Sequence, residues 1–156
     1  KAGRVVAALQ KAKQTLATAE SCTGGLIAAS ITAVPGSSTC FGYGVVSYSN
    51  QAKMDVLRVQ AQTLARFGAV SEQTAYEMAQ GLRALSAADI AVSVTGIAGP
   101  GGGSPEKPVG LVYISTATAG GVCARRFLFQ GDRQDIRCQT AWHAFEMVED
   151  AIRSSL

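Results

Sequence analysis

The sequence predicts a three-layer α/β/α sandwich on a mixed, mostly parallel sheet that carries a C-terminal antiparallel hairpin. Three observations lead to this prediction. Helix-like segments separate most of the strand-like segments, and the last two strands are joined only by Ala-Gly-Gly at residues 119–121. The 156 residues are 47% hydrophobic and 16% charged, which suits one domain with a buried core.

Apolar spacing and turn residues define the elements in the first half of the chain. Val5, Val6 and Leu9 fall at helical spacing, so we expect a helix over residues 1–13. Glycines open the second helix, Pro35 and Gly36 follow its end, and the run GYGVVSY is rich in strand-forming residues. The predicted elements are a strand at Thr15–Ala19, a helix at Thr23–Ala33, a strand at Gly42–Tyr48, and short helices at Asn50–Leu57 and Gln62–Phe67, the last stopped by Gly68.

The second half continues with a longer helix and three strands. Ser71 stands where an N-cap is expected for a helix over residues 72–85. A buried strand is predicted at Asp89–Thr95, a loop of glycines and prolines fills residues 96–108, and the hairpin strands are Val109–Thr116 and Val122–Phe129. Gly131-Asp132-Arg133 leads into a final helix whose apolar stripe comprises Ala141, Ala144, Phe145, Val148 and Ile152. No repeat or linker interrupts the chain, so we predict a single domain over residues 1–156.

Composition restricts the class of partner and the cellular compartment. The net charge of +3 is scattered, so nucleic acid is not expected, whereas an anionic small molecule is compatible with it. The apolar runs are strand-sized and no signal peptide is visible, so no membrane segment is expected. The 4 cysteines form no Cys-x-x-Cys pair, which argues against a zinc site or a disulfide framework and predicts reduced thiols in a cytoplasmic protein. Because the chain begins at Lys1 without a Met, we expect a few native residues to be missing.

A hydroxyl and a thiol stand together in the segment TAESCTGG at residues 18–25. Ser21 is expected in the turn between a strand and a helix, where the helix dipole and free backbone amides favour a nucleophile. The amides from Cys22 through Thr23 and Gly24 to Gly25 would then form an oxyanion hole. The alternative is structural, with Ser21 and Thr23 as ordinary helix caps.

Lys53 is the candidate base for that nucleophile. On a helix it shares a face with Val56 and Leu57, so partial burial would lower the pKa of its ammonium group, as a general base requires. Tyr48, at the end of the preceding strand, could pass a proton or fix geometry. A solvated surface lysine is the alternative. The only histidine, His143, lies inside the last predicted helix and is a less attractive base.

The loop GIAGPGGGS at residues 96–104 is the candidate anion site. It lacks the order of a P-loop and the Rossmann spacing, but bare glycine amides and Ser104 can receive an anion. Lys107, Arg133 and Arg137 would add positive charge. A flexible surface loop with solvated arginines is the alternative.

Together these loops resemble one family, the CinA C-terminal domain, also called the PncC-type nicotinamide-nucleotide amidohydrolases. The segments that carry the resemblance run in family order: TAESCTGG at 18–25, PGSS at 35–38, VSYSNQAK at 46–53, FGAVS at 67–71, VTGIAGPGGGS at 94–104, EKPVG at 106–110 and GDR at 131–133. Tyr43 departs from the family pattern, because many relatives carry a charged or small residue at this position. The difference would affect the shape of the approach to Tyr48. The N-terminal MoaB-like domain that often accompanies this domain is absent from the sequence, so no pyrophosphatase activity belonging to that part is expected.

The resemblance implies a cytoplasmic deamidase without metal or cofactor that converts nicotinamide mononucleotide to nicotinate mononucleotide and ammonia. It implies Ser21 as nucleophile with Tyr48 and Lys53 completing a Ser–Tyr–Lys triad, and self-association into a dimer or higher homo-oligomer. The residues expected to bind the mononucleotide are Thr95, Gly96, Gly99, Gly101, Gly103, Ser104, Lys107, Arg133 and Arg137.

Two other classes of function remain open from the sequence. One is a nucleotide-binding regulatory module without turnover, as the competence-related name of the family suggests. The other is an oxidoreductase with a Ser–Tyr–Lys set like that of short-chain dehydrogenases. There the Tyr and Lys are separated by three residues, whereas four residues separate Tyr48 from Lys53 and the dinucleotide fingerprint is missing.

Overall fold

The predicted class of fold is confirmed by a computed structural model that describes all 156 residues. One five-stranded sheet lies between two layers of helices. In chain order the elements are α1 (Ala2–Ala12), β1 (Leu16–Glu20), α2 (Leu26–Thr32), a 3₁₀ helix (Ser37–Thr39), β2 (Phe41–Val46), α3 (Asn50–Leu57), α4 (Ala61–Phe67), α5 (Glu72–Ser86), β3 (Ile90–Gly96), β4 (Leu111–Thr118), β5 (Gly121–Leu128) and α6 (Arg133–Ser154). None of the helices has the length and apolar character needed to cross a bilayer.

Several predicted boundaries differ from the structure by one to three residues, and two of them lie beside the candidate nucleophile and base. The helix predicted from Thr23 begins only at Leu26, because Gly24 and Gly25 adopt positive φ angles of 58° and 106° and make a turn of residues 21–25. That backbone conformation is accessible to glycine at little cost. The strand predicted to reach Tyr48 ends at Val46, so Ser47 and Tyr48 belong to the loop that leads into α3.

The sheet order is β2-β1-β3-β4-β5, and β1 is parallel to both of its neighbours. The last two strands are antiparallel and form the predicted hairpin. At the end of β1, Glu20 pairs with Val46 on one side and Val94 on the other. The chain therefore winds outward in both directions from β1, and the carboxyl ends of three strands meet at one edge. Open α/β sheets bind ligands at such a switch point.

The two faces of the sheet are covered differently. Helices α1, α2 and α6 pack on one face and enclose the larger apolar cluster, which includes Ile90 and Val92 of β3. Helix α5 packs on the other face, where it meets small side chains such as Ala91. Helices α3 and α4 pack against α5. On this face the hydroxyls of Ser93 and Thr95 donate to backbone carbonyls of the α5 region, at 2.7 Å and 2.8 Å. Small strand residues thus let α5 lie close to the sheet.

Helix α6 begins beside the switch point. Asp132 is its N-cap. The Asp132 carboxylate accepts from the amide of Asp135 at 2.8 Å, and the amide of Asp132 donates to the Asp135 carboxylate at 2.9 Å. This capping box fixes where the helix starts. The predicted apolar stripe of α6 is confirmed as buried. The arginines of its first two turns are consequently held near the carboxyl ends of the strands.

Helix α3 contacts α5 through a glycine. An ideal Cβ added at Gly81 of α5 would lie 1.7 Å from the carbonyl oxygen of Leu57, the last residue of α3. Backbone therefore packs directly on backbone at this point. Since Lys53 lies one turn before Leu57, the close approach also sets the position of the lysine.

We predict that Gly81→Ala lowers the free energy of unfolding by roughly 2–3 kcal/mol, because the added methyl forces the two helices apart. Urea unfolding measures the change. Gly3→Ala is the matched control, since Gly3 is also helical and has nothing within 4 Å of an added Cβ. Equal stabilities for the two variants would contradict the contact.

Candidate active site

Three loops at the carboxyl ends of β1, β2 and β3 surround a pocket of about 290 Å³. Helix α6 closes one side of it with Arg133. The predicted site residues that line the pocket are Ser21, Cys22, Tyr48, Lys53, Thr95, Gly96, Gly99, Gly101 and Arg133. Its other walls are Ile97, Ala98 and Gly102 of the predicted glycine loop, together with Ala69 and Val70, which were not among the predicted site residues.

A larger depression of about 630 Å³ lies beside the β4–β5 turn and the carboxyl end of α6. None of the predicted site residues lines it, and its wall includes the exposed ion pair of Arg125 and Asp150. It contains no buried nucleophile next to a base. The smaller pocket at the switch point is therefore the candidate site.

Lys53 and Ser21 are in direct contact in that pocket. Lys53 Nζ lies 3.0 Å from Ser21 Oγ, and both residues are buried, at 1% and 8% exposure. The ammonium nitrogen also donates to the backbone carbonyls of Ser47 at 2.8 Å and Tyr48 at 3.2 Å. A neutral amine has two N–H bonds for those two carbonyls and one lone pair left for the serine hydroxyl. The geometry thus suits transfer of a proton from Ser21 to Lys53.

The environment of Lys53 favours the neutral amine. No carboxylate forms an ion pair with it. Burial lowers the pKa of Lys53 from its ordinary value of 10.5, and the nearby Cys22 opposes this in part. The same face of α3 buries Leu57 as predicted, but Val56 is 39% exposed. A buried lysine without a counter-ion is a recognised arrangement for a general base.

Cys22 is not an equivalent nucleophile. Burial raises the pKa of its thiol to about 12, so the group stays protonated at neutral pH. The thiolate is the reactive form of cysteine. The side-chain hydrogen bond with Lys53 is made by Ser21, and Cys22 makes no hydrogen bond to it.

Glu20 is a site component that was not predicted from the sequence. Its carboxylate is 1% exposed and accepts hydrogen bonds at the start of α2. The donors are Thr23 Oγ1 at 2.5 Å and the amides of Gly25 at 3.2 Å, Ile27 at 3.0 Å and Ala28 at 2.8 Å. A carboxylate at a helix N-terminus is stabilised by the helix dipole and the free amides. Glu20 therefore links the end of β1 to the start of α2, across the intervening turn of residues 21–25, called the serine turn below.

This cap changes the set of amides available for an oxyanion. The amide of Gly24 donates to the carbonyl of Ser21 at 3.1 Å, and the amide of Gly25 donates to Glu20. The amides of Cys22 and Thr23 have no hydrogen-bond partner. Of the four amides expected to form the hole, two are thus already bonded, and Cys22 and Thr23 remain as candidates.

The glycine loop offers a second group of free amides. Ala98, Gly99, Gly101 and Gly102 line the pocket, and none of their amides has a partner. An anion at this loop would meet donors without displacing existing bonds. Gly103 lies outside the pocket, and a Cβ there would come 2.8 Å from the amide of Val109.

Tyr48 lies at the mouth of the pocket. Its side chain is 62% exposed and its hydroxyl is 3.4 Å from Arg133 Nη2. The hydroxyl has no hydrogen bond to Ser21 or Lys53, and it is the backbone carbonyl of Tyr48 that Lys53 contacts. Tyr48 therefore lies beside the serine–lysine pair without a side-chain hydrogen bond to either residue.

The four phosphate-binding candidates separate into one in the pocket and three outside it. Arg133 lines the pocket and donates to the carbonyl of Gly99 at 2.7 Å. Lys107 donates to the carbonyl of Phe67 at 2.5 Å, and Ser104 Oγ accepts from the amide of Lys107 at 3.0 Å. Arg137 donates to backbone carbonyls of the serine turn. Only Arg133 is thus in a position to meet a ligand in this pocket.

The remaining sequence candidates lie away from the site. Tyr43 is on the half of β2 distant from the carboxyl end and does not line the pocket, so it does not shape the approach to Tyr48. His143 packs against Phe127 and Phe129, with ring centroids 5.0 Å and 5.1 Å away. No group of three or more His, Cys, Asp and Glu side chains is arranged to hold a metal ion.

Fold and pocket together define an α/β/α protein with a buried serine–lysine pair at the switch point of its sheet. The chain belongs to the CinA C-terminal domain family, which it matches over residues 1–152. A protein of Caldanaerobacter subterraneus subsp. tengcongensis, named for competence and damage induction, is 55% identical over 144 residues, which cover 92% of this chain and 35% of that protein. A CinA-like protein of Kosmotoga olearia is 49% identical over 148 residues, which cover 95% of this chain and 36% of that protein.

Solved structures from the same family have the same fold. The competence/damage inducible protein CihA from Agrobacterium tumefaciens superposes with a TM-score of 0.94 at 47% identity, covering 96% of this chain and 92% of that one. A CinA superfamily protein from Klebsiella pneumoniae gives a TM-score of 0.94 at 37% identity, covering 98% and 96%. The chain spans about a third of the length of the curated relatives that it matches, so these describe a domain of longer proteins.

The buried lysine predicts a pH-dependent difference in stability. Because the pKa of Lys53 is lowered on folding, the unfolded chain binds a proton that the folded chain lacks between the folded-state pKa and 10.5. The free energy of unfolding of the wild type therefore rises with pH through that range, relative to Lys53→Met, which lacks the group. Urea unfolding of both proteins at several values from about pH 6 to about pH 10 measures this difference. A stability gap that stays constant or widens in favour of Lys53→Met would contradict the lowered pKa.

Proposed function

We propose that this domain hydrolyses the carboxamide of nicotinamide mononucleotide to nicotinate mononucleotide and ammonia. The single observation that carries the proposal is the 3.0 Å contact between Lys53 Nζ and Ser21 Oγ in a buried pocket. The family resemblance supplies the substrate, and the free amides of the glycine loop with Arg133 suit its anionic phosphate.

In the proposed first step the neutral amine of Lys53 takes the proton of Ser21, and Ser21 Oγ attacks the amide carbon of the substrate. The amides of Cys22 and Thr23 receive the oxyanion of the tetrahedral intermediate. Protonated Lys53 then returns its proton to the departing nitrogen, so ammonia leaves and an acyl-serine remains.

In the second step water attacks the acyl-serine while Lys53 accepts one of its protons. The ester bond breaks, Ser21 regains its proton from Lys53, and nicotinate mononucleotide is released. The sum is one amide and one water converted to one carboxylic acid and one ammonia. Tyr48 and Arg133 form the wall against which the mononucleotide would lie, and their contact at 3.4 Å would fix that wall.

We predict that Ser21→Ala reduces ammonia release to the background rate, whereas Cys22→Ala retains much of it. The reason is that Ser21 carries the contact with Lys53, while the buried thiol of Cys22 stays protonated. Ammonia and nicotinate mononucleotide are measured after incubation with nicotinamide mononucleotide. The reverse result, with Cys22→Ala inactive and Ser21→Ala active, would exclude the serine assignment.

We also predict that kcat/KM falls as the pH is lowered through the pKa of Lys53, with a midpoint below the ordinary lysine value of 10.5. The neutral amine is the active form, so protonation removes the base. Lys53→Arg should be about 10³-fold or more slower, because a guanidinium stays protonated and the members of a catalytic unit are strongly non-additive. An unchanged pH–rate profile in Lys53→Arg would rule out the base role.

A second candidate function is a nucleotide-binding module of the competence/damage-inducible kind. The names of the relatives favour it, since they refer to competence and damage and to no reaction. A folded domain that binds nicotinamide mononucleotide, by calorimetry, without releasing ammonia would support this function over hydrolysis.

A further inference from the structure

We propose that Arg137 is a positioning residue, whose guanidinium holds the carbonyls of Cys22 and Thr23 and so fixes the turn that presents Ser21 to Lys53. The inference rests on the proposed role of Ser21 as nucleophile. It also separates Arg137 from Arg133, although the two arginines lie only one helical turn apart.

The first argument is that the turn has few ties of its own. Within residues 21–25 the only internal backbone bond runs from the amide of Gly24 to the carbonyl of Ser21. Gly24 and Gly25 have positive φ angles, and glycine pays the largest entropic cost when it is ordered. Such a turn requires contacts from outside to hold one conformation.

Two side chains of opposite charge supply those contacts: Glu20 binds a backbone amide of the turn, and Arg137 binds its backbone carbonyls. Glu20 accepts from the amides at the start of α2, as described above. Arg137 Nη2 donates to the carbonyl of Thr23 at 2.8 Å, and Arg137 Nε donates to the carbonyl of Cys22 at 3.3 Å. The carboxylate thus takes the donors of the turn and the guanidinium takes its acceptors. Charge-assisted hydrogen bonds of this kind are stronger than neutral ones.

Arg137 is itself held in place. Its Nη1 donates to the side chain of Gln134 at 2.8 Å, one turn earlier on α6, and the capping box of α6 fixes that turn. Its Nη2 passes 3.8 Å from the position of a Cβ at Gly24, so it lies against the turn. The guanidinium is therefore engaged by the backbone and does not line the pocket.

The contact also acts on the candidate oxyanion donors. The carbonyl of Cys22 and the amide of Thr23 belong to one peptide group, and that amide is without a partner. A positively charged group that donates to the oxygen of a peptide group polarises that group and makes its N–H a stronger donor. Arg137 therefore supports both the position of Ser21 and the donor strength of Thr23.

The test compares Arg137→Met with Arg137→Lys and with Arg133→Met. For nicotinamide mononucleotide, Arg137→Met should lower kcat by roughly tenfold to a hundredfold, the scale of loss when a reacting group is misplaced by about 1 Å. KM should stay within about twofold, since no substrate contact is lost. Arg137→Lys keeps one donor and should lose less, whereas Arg133→Met, on the pocket wall, should raise KM.

A second readout makes the test independent of the substrate. Phenylmethylsulfonyl fluoride modifies reactive serines, and intact mass gives the rate at which it modifies Ser21. This rate should fall in Arg137→Met in parallel with kcat. If the wild type releases no ammonia but Ser21 is modified, the hydrolase proposal fails while the labelling rate still decides the role of Arg137.

Three outcomes overturn the proposal for Arg137. One is a rise in KM with kcat and labelling unchanged, which would assign the residue to substrate binding. The second is no change in any of these quantities. The third is a wild type that neither releases ammonia nor is labelled, which overturns both proposals. If circular dichroism shows that Arg137→Met is unfolded, Arg137→Lys decides, and wild-type kcat and labelling in that variant overturn the proposal.

Discussion

The site depends on one energetically unfavourable feature, the burial of the Lys53 side chain without a counter-ion. Removing an amine from water disfavours its charged form, and only the carbonyls of Ser47 and Tyr48 and the hydroxyl of Ser21 receive it. A carboxylate in place of any of these partners would restore the charge and abolish the lone pair. The pocket is therefore a place where the fold gives up stability to hold a side chain in its reactive form.

The architecture explains how that burial is maintained. Parallel strands β2, β1 and β3 bring three loops to one edge, and β1, in the middle, ends at Glu20 and leads directly into Ser21. Glu20 fixes the start of α2, while α5 holds α3, and with it Lys53, from the other face of the sheet. Ser21 thus comes from the end of β1 and Lys53 from the helical layer on the α5 side, and the two reactive atoms meet at the carboxyl edge of the sheet.

Much of this was predictable from the sequence, because hydrophobic spacing and glycine positions report directly on helices, strands and turns. The face shared by Lys53 and Leu57 likewise indicated burial. Three features were not accessible. The role of Glu20 depends on the length of the turn that follows it. The position of the Tyr48 side chain depends on where β2 ends. Arg133 and Arg137 lie about 6 Å apart along one helix, and only the docking angle of that helix decides which reaches the pocket.

The small side chains beneath α5 have a consequence for the tolerance of the chain to change. On that face Ala17, Ala19 and Ala91 are buried in one cluster with residues of α5, so a bulkier side chain at any of them would push the helix away from the sheet. On the α6 side, larger branched residues can exchange volume among themselves. We therefore expect functional versions of this domain to differ often in the core residues beneath α6 and only rarely in those beneath α5. The position of the reactive lysine would then depend on alanines that do not line the pocket.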